Sequence, residues 1–297
     1  MQFSFSKNLG IGAKLNLGFG SIIILMIIGT VLSYSSLSDM NHSQSQVTEI
    51  RYPAVITASQ LTNGINQSLA ALRGYMILGN DANAATKFKT ERAQAWQKIE
   101  QAITTFNTLA AHLSSDSVRR IDEVKALLKD LKTSQENIED IAQTPGNQPA
   151  LKLLSEQAGP RASQMLALLA RVIEQEQEQE LDEEHRELFK HLSDSRGAFA
   201  ISVGGLRAYL ITGESKFKDQ FDTNWLINTD AYLEIDENIE LLSEAQLADW
   251  QQYETLREQF APLSIDMFRY RSSDKWNIAN HMLGADVEPK VIKITSL

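Results

Sequence analysis

Residues 72–79 read Leu-Arg-Gly-Tyr-Met-Ile-Leu-Gly, and residues 206–213 read Leu-Arg-Ala-Tyr-Leu-Ile-Thr-Gly. Five of the eight positions are identical, at an offset of 134. The likeness continues past the glycine. Lys87-Phe88-Lys89, six residues and Trp96 return as Lys216-Phe217-Lys218, six residues and Trp225, now offset by 129. Only the connection differs, seven residues after Gly79 against two after Gly213. Each block reads as a helix end, a glycine cap and the opening of an antiparallel partner, with Leu, Ile and the aromatics supplying the packing. A hairpin is therefore used twice, at about 60–112 and 195–242.

Outward from the repeat the apolar residues keep a spacing of three and four. The stripes run Leu61 to Met76, Ile99 to Leu113, Val118 to Ile141, Met165 to Leu210, Phe217 to Leu242 and Leu247 to Met267. This is bundle patterning, not period-two alternation. Residues 81–144 and 214–283 contain no glycine. Such sparse punctuation disfavours the tight turns of an all-β fold. The breaks fall at Gly79-Asn80-Asp81, expected to be a left-handed C-cap and then an N-cap, at Ser114, at Thr144-Pro145-Gly146-Asn147 and at Gly213. Ser243 with Gln246 three residues on predicts a capping box. Gly159-Pro160 predicts a restart or kink, and Pro262 a kink. The expectation is an all-α fold of six antiparallel helices, the fourth and sixth the longest.

Ahead of them, Leu15 to Tyr34 holds twenty residues without a charge. That is the length an α-helix needs to cross a bilayer core. Lys7 and Lys14 precede it, whereas Asp39 and Glu49 come before the next cation, Arg51. The positive-inside bias then places residues 1–14 in the cytoplasm, 15–34 in the inner membrane and 35–297 in the periplasm. A cleaved signal peptide would have a shorter apolar region and a cleaner small-residue site than Ser-rich SYSSLS.

Composition narrows the function. The 28 Lys and Arg against 38 Asp and Glu give a net charge of −10, which argues against nucleic acid as a partner. With no cysteine, thiolate zinc sites, iron–sulfur clusters and cysteine nucleophiles are excluded. The five histidines form no metalloprotease pair, and there is no phosphate-cradling glycine loop. The chain reads as a non-enzyme with no cofactor and no metal. The acidic tract Glu174 to Glu184 reads as a solvated face and a thin waist between modules.

A short basic start, one apolar span, RYPAV at 51–55, the duplicated LRxYxIxG and RYRSSDKWN at 269–277 resemble the sensor region of methyl-accepting chemotaxis proteins. More narrowly they resemble the helical bimodular sensor domain, also found in some sensor histidine kinases. The resemblance implies two stacked four-helix modules sharing long helices, periplasmic recognition of small molecules, often organic acids, and signalling as a homodimer. Such receptors continue into a second span, a HAMP linker and a methylated cytoplasmic coiled coil, which this sequence does not contain. A kinase input domain and a periplasmic helical adaptor are the rival readings.

Arginine is the side chain best suited to a carboxylate, through two parallel charge-assisted hydrogen bonds. Arg73 and Arg207 follow core leucines in the repeat, with Tyr75 and Tyr209 close by. Arg51, Arg269 and Arg271 form a second candidate group, lined by Trp276. These eight residues are the expected contacts of a small anionic solute.

Overall fold

The computed structural model describes residues 10–178 and 182–297, apart from the side chain of His42. Lys7 of the basic start and residues 179–181 of the acidic tract lie outside the described residues. Helix accounts for 93% of the described residues. Eight helices occur among them, namely α1 Ile11–Leu78, α2 Ala82–Leu109, α3 Ser115–Ala142, α4 149–177, α5 Glu183–Thr212, α6 Ser215–Glu237, α7 Glu244–Arg271 and α8 278–296. The all-α class is as expected. The count is eight rather than six, and local chemistry gives the reason. The fourth stripe divides because Asp182 opens a new helix, its carboxylate accepting the His185 N–H at 2.9 Å. The sixth ends at Arg271, where Ser273 and Asn277 accept the N–H groups of Lys275 and Asn280 at 3.2 and 3.0 Å. Arg269 and Arg271 thus end α7, and α8 follows as the last helix.

The apolar span and the first bundle helix are one continuous helix of 68 residues. Its apolar side chains from Ile22 to Val31 are 48–69% exposed, as a lipid-facing segment requires. It is long and apolar enough to cross a membrane.

The repeat reaches further than the two blocks that announce it. The 3₁₀ turns Ala110–His112 and Ile239–Leu241 precede α3 and α7, which are both 28 residues long. The 3₁₀ turns Pro145–Asn147 and Asp274–Trp276 follow them. α4 and α8 then open at Pro149 and Ile278, and each contains a π-helical turn, Leu154–Ala158 or Leu283–Val287. Every one of these boundaries recurs at the offset of 129. Ser243 forms the expected capping box with Gln246, and Ser114 accepts the Ser117 N–H at 3.2 Å. Gly213 has φ +74°, the left-handed cap. Gly79 does not, contrary to expectation, since Gly213 is the one positive-φ glycine among the described residues. The longer connection after Gly79 explains the difference. There the chain turns over three residues and Asp81 caps α2 by accepting the Ala84 N–H at 2.8 Å, whereas a two-residue link must reverse at once.

The chain divides into two compact units, residues 1–71, 89–127 and 297 in one, residues 72–88 and 128–296 in the other. In the first, Leu61, Ile65 and Leu69 of α1 are buried, as are Ala95, Ile99, Ala102 and Phe106 of α2. Gly64 permits the approach of the two helices, because a Cβ there would lie 2.8 Å from Ile99 Cγ1.

The second unit has a core of Met165, Leu168, Leu169 and Val172 from α4, Leu188, Leu192, Phe199 and Val203 from α5, Phe221 and Ile235 from α6, and Trp250, Tyr253 and Phe260 from α7. Each large side chain so buried contributes about 1.5–3 kcal/mol. α4, the fourth helix of the first copy, therefore packs on the second copy. α8 does the converse, with Glu288 paired to Arg73 at 2.5 Å and Lys290 donating to Ser134 at 2.7 Å. The two copies exchange their fourth helices. Pro262 sits inside α7, which continues through it.

The acidic tract is not uniformly solvated. Glu176 is fully buried. Its carboxylate meets His185 Nδ1 at 2.8 Å and accepts from Gln246 Nε2 at 2.7 Å, so it joins α4, α5 and α7. The hydrogen bond to Glu176 raises the His185 pKa above its ordinary 6.5, against the opposing effect of burial. A raised histidine stabilises the fold below about pH 6.5, and that stabilisation is lost as pH rises through the elevated value. The thermal midpoint of the chain should therefore fall between pH 6 and pH 8.5. His185→Gln should flatten that fall, and an unchanged profile in the variant would show the pair to be inert.

Candidate functional site

A helix leaves its last carbonyls without partners in its own ladder. At the end of α1, Gly79 N–H bonds Tyr75 O at 2.8 Å, and Gln143 reaches over from the end of α3. Gln143 Nε2 donates to Tyr75 O at 2.6 Å and Met76 O at 3.1 Å. A Cβ at Gly79 would overlap the Tyr75 carbonyl oxygen and lie 2.8 Å from that nitrogen, so the tight helix end itself requires glycine here. At the end of α5, Gly213 N–H bonds Tyr209 O at 2.8 Å. Arg271, from the end of α7, donates through Nε to Leu210 O at 3.1 Å. Its guanidinium lies 3.9 Å from the centre of the Trp276 ring, a cation–π contact. A Cβ at Gly213 would overlap that guanidinium. Gln143 and Arg271 thus perform the same task in the two copies.

The expected site residues distribute as follows. Arg73 is half-exposed and paired with Glu288. Tyr75 is buried, and Tyr209 packs edge-on against Phe268 with ring centres 5.3 Å apart. Arg207 is exposed, with no hydrogen bond or ion pair to another described residue. Arg269 is exposed and paired with Asp266 at 2.8 Å. Arg271 and Trp276 form the clasp just described. Arg51 lies in the first unit, at the end of a π-helical turn, Gln46–Arg51, and is exposed, whereas Arg269 and Arg271 belong to the second unit. Arg73, Arg269 and Arg271 therefore already engage the protein's own acceptors.

An arginine that the sequence did not single out is placed differently. Arg257 of α7 is half-buried. Its guanidinium lies 4.8 Å from the Trp225 ring centre and 4.7 Å from that of Tyr232. Nε donates to Asn228 Oδ1 at 3.2 Å and Nη2 to Thr229 Oγ1 at 2.6 Å. Asn228 is itself fixed, donating to Ser195 O at 3.0 Å, Ser195 Oγ at 2.9 Å and Tyr253 OH at 3.0 Å. Asn228, Ser195 and Tyr253 are all completely buried. Tyr232 OH donates to Glu254 at 2.6 Å, and burial, then that carboxylate, pushes the phenol well above its ordinary value. Arg257 has no ion pair with any described residue. This is a preorganised, half-buried fork whose remaining donors bond no described residue. The sequence carried a signal for it. The α6 stripe jumps seven residues from Trp225 to Tyr232, and the position that fills the gap is Asn228, a polar residue on the buried face.

A cavity of about 280 Å³ opens between α5 and α6, lined by Glu183, Glu184, Glu187, Leu188, His191, Glu234, Asn238 and Leu241. Four carboxylates make it unsuited to an anion, and it contains none of the expected arginines.

The clasp has a measurable weight. Arg271→Ala leaves the Leu210 carbonyl without that donor and exposes the Trp276 face, so it should cost about 1–3 kcal/mol of stability. Arg271→Lys should recover little, because lysine lacks the planar fork. Chemical unfolding of the two variants checks this.

Comparison with curated proteins and with solved structures gives no match. Comparison with protein families does, over residues 8–187, which take in the apolar span, α1 to α4 and the opening turns of α5. More than half of the chain is covered, and the described helices are of the kind the family name requires, so the chain belongs to the four-helix-bundle sensory modules for signal transduction.

Proposed function

We propose that the chain is the extracytoplasmic sensing region of a bacterial chemoreceptor, of the helical bimodular type, held in the inner membrane by α1. Residues 1–14 lie in the cytoplasm and the bulk of the chain in the periplasm. The module binds a small carboxylate solute, works as a homodimer and passes a helix displacement across the membrane. One observation carries this reading. The apolar span and the first sensory helix are a single unbroken helix, Ile11–Leu78, so a movement of the bundle end is a movement of the span. The charge asymmetry about the span supports the orientation, and membership of a sensory family supports the role.

A solute shifts a helix arrangement only through differential affinity for two arrangements. Arg257 supports the anion reading, because it is half-buried, aligned by Asn228 and Thr229 from the neighbouring helix α6, and free of any described carboxylate partner. A ligand held on that fork ties α6 to α7.

Two measurements test the proposal. The cysteine-free chain allows single cysteines at Ser38 and Gly10 to be labelled in spheroplasts with a membrane-impermeant maleimide. Labelling at 38 and protection at 10 are expected, and the reverse overturns the orientation. An organic acid found by thermal shift should lose about 30-fold or more in affinity with Arg257→Ala, equivalent to about 2 kcal/mol. Calorimetry that finds unchanged affinity in a folded Arg257→Ala variant removes Arg257 from the site.

A further inference from the structure

Three π-helical turns occur among the described residues, Gln46–Arg51, Leu154–Ala158 and Leu283–Val287. Each is closed by an N–H from the next residue bonding five positions back: Tyr52 to Val47 O, Gly159 to Leu154 O and Glu288 to Leu283 O. In all three the residue after that donor is proline, Pro53, Pro160 or Pro289. A proline has no N–H to give the carbonyl four residues back and crowds it. A π turn takes in one extra residue and shifts the bonding by one position. Proline alone does not dictate the turn, since Pro262 sits inside α7 with no π turn before it.

Two of the three turns stand at equivalent places in the repeat, in the exchanged helices α4 and α8. In α8 both sides of the turn are pinned. Before it, Asn277 caps the helix and the Ala279 N–H bonds the buried Asn147 Oδ1 at 2.8 Å. After it, Glu288 pairs with Arg73, Lys290 donates to Ser134, and Ile294 is buried. In α4 buried Ala150 holds the chain before the turn, with no side-chain cap from Gln148, and the Arg161–Gln259 and Arg171–Asp249 contacts hold it after the turn. Basic residues reach back across both turns, Lys290 to Asp286 at 2.6 Å and Arg161 to Gln157 O at 3.0 Å.

We propose that the turns in α4 and α8 are one-residue register reserves. Each holds a residue beyond what an α-helix between its two pinned ends needs. Taking up or releasing that residue moves the far end of the helix by about one residue, roughly 1.5 Å of rise and 100° of rotation, while the near end stays where Ala150 or Asn277 holds it. The proline keeps the extra residue in the turn by denying the α-helical bond.

Single-residue deletion in the full chain tests this. Removing a residue from a plain α-helix rotates one flank against the other, whereas removing it from a reserve leaves both flanks in phase. Gly284 is deleted together with Pro289→Ala, because a proline left inside an all-α helix is itself costly. Its thermal midpoint should stay within about 5 °C of that of Pro289→Ala alone. Deleting the exposed Gln251 from α7 should lower the midpoint by more than about 15 °C or prevent folding. Amide exchange over 284–288 should be at least about tenfold slower in the Gly284 deletion than in the parent, since the turn has become ordinary helix. Deletion of Ser155 with Pro160→Ala repeats the test in α4. The proposal is overturned if both deletions are as damaging as that of Gln251, or if exchange over 284–288 is unchanged.

Discussion

Helix ends, more than helix faces, govern this molecule. The closing carbonyls of α1 and α5 have no partners within their own helices, and in each case a side chain from the end of a helix two further along supplies one. Gln143 serves Tyr75 and Met76, and Arg271 serves Leu210. Each donor also sits against the glycine that ends the clasped helix, so the LRxYxIxG motif is a receptor for a neighbour's side chain as much as a turn. The 3₁₀ turns that follow then set the entry of α4 and α8. Through Asn147 Oδ1 and the Ala279 N–H the first of these turns touches the start of α8.

The exchange of fourth helices follows from those entries. α4 leaves the first copy and supplies Met165, Leu168, Leu169 and Val172 to the core of α5, α6 and α7. α8 returns to meet Arg73 and Ser134. The polar residues at the seams are correspondingly specific. Buried Glu176 accepts from Gln246 and meets His185, Asp286 is held below the usual carboxylate range by hydrogen bonds from Lys290 and Ser134, and Arg171 forks onto Asp249. Exposed pairs of this kind add little stability. Buried ones such as Glu176 penalise any other placement of the helix, because the carboxylate would lose its donors.

The proposed function rests on two features at different scales. At long range, α1 carries the apolar span into the bundle without interruption of the helix, though with a π turn at Gln46–Arg51 just before Pro53. At short range, the aromatic and amide surroundings of Arg257 hold a half-buried cation in place. A sensory module needs both, a site whose occupancy changes helix packing and a rigid element that carries the change away.

The helical class, the apolar span, most breaks and the doubling of the hairpin were legible in the sequence, because each is a local property. Apolar period, chain length without charge, Ser243 with Gln246 and Gly213 all act within a few residues of themselves. The helix count was not, since Met165 to Leu210 keeps its apolar spacing across a break that Asp182 makes. Gly79 was misread because the chain after it turns over three residues before Asp81 caps α2, so no left-handed residue is needed there. The eight expected site residues were picked for their fit to a carboxylate, and the folded protein itself engages Arg73, Arg269 and Arg271. The exchange of α4 and α8 and the setting of Arg257 depend on which side chains meet across tens of residues. Periodicity fixes the buried face of a helix, but only the folded packing decides which helix it faces.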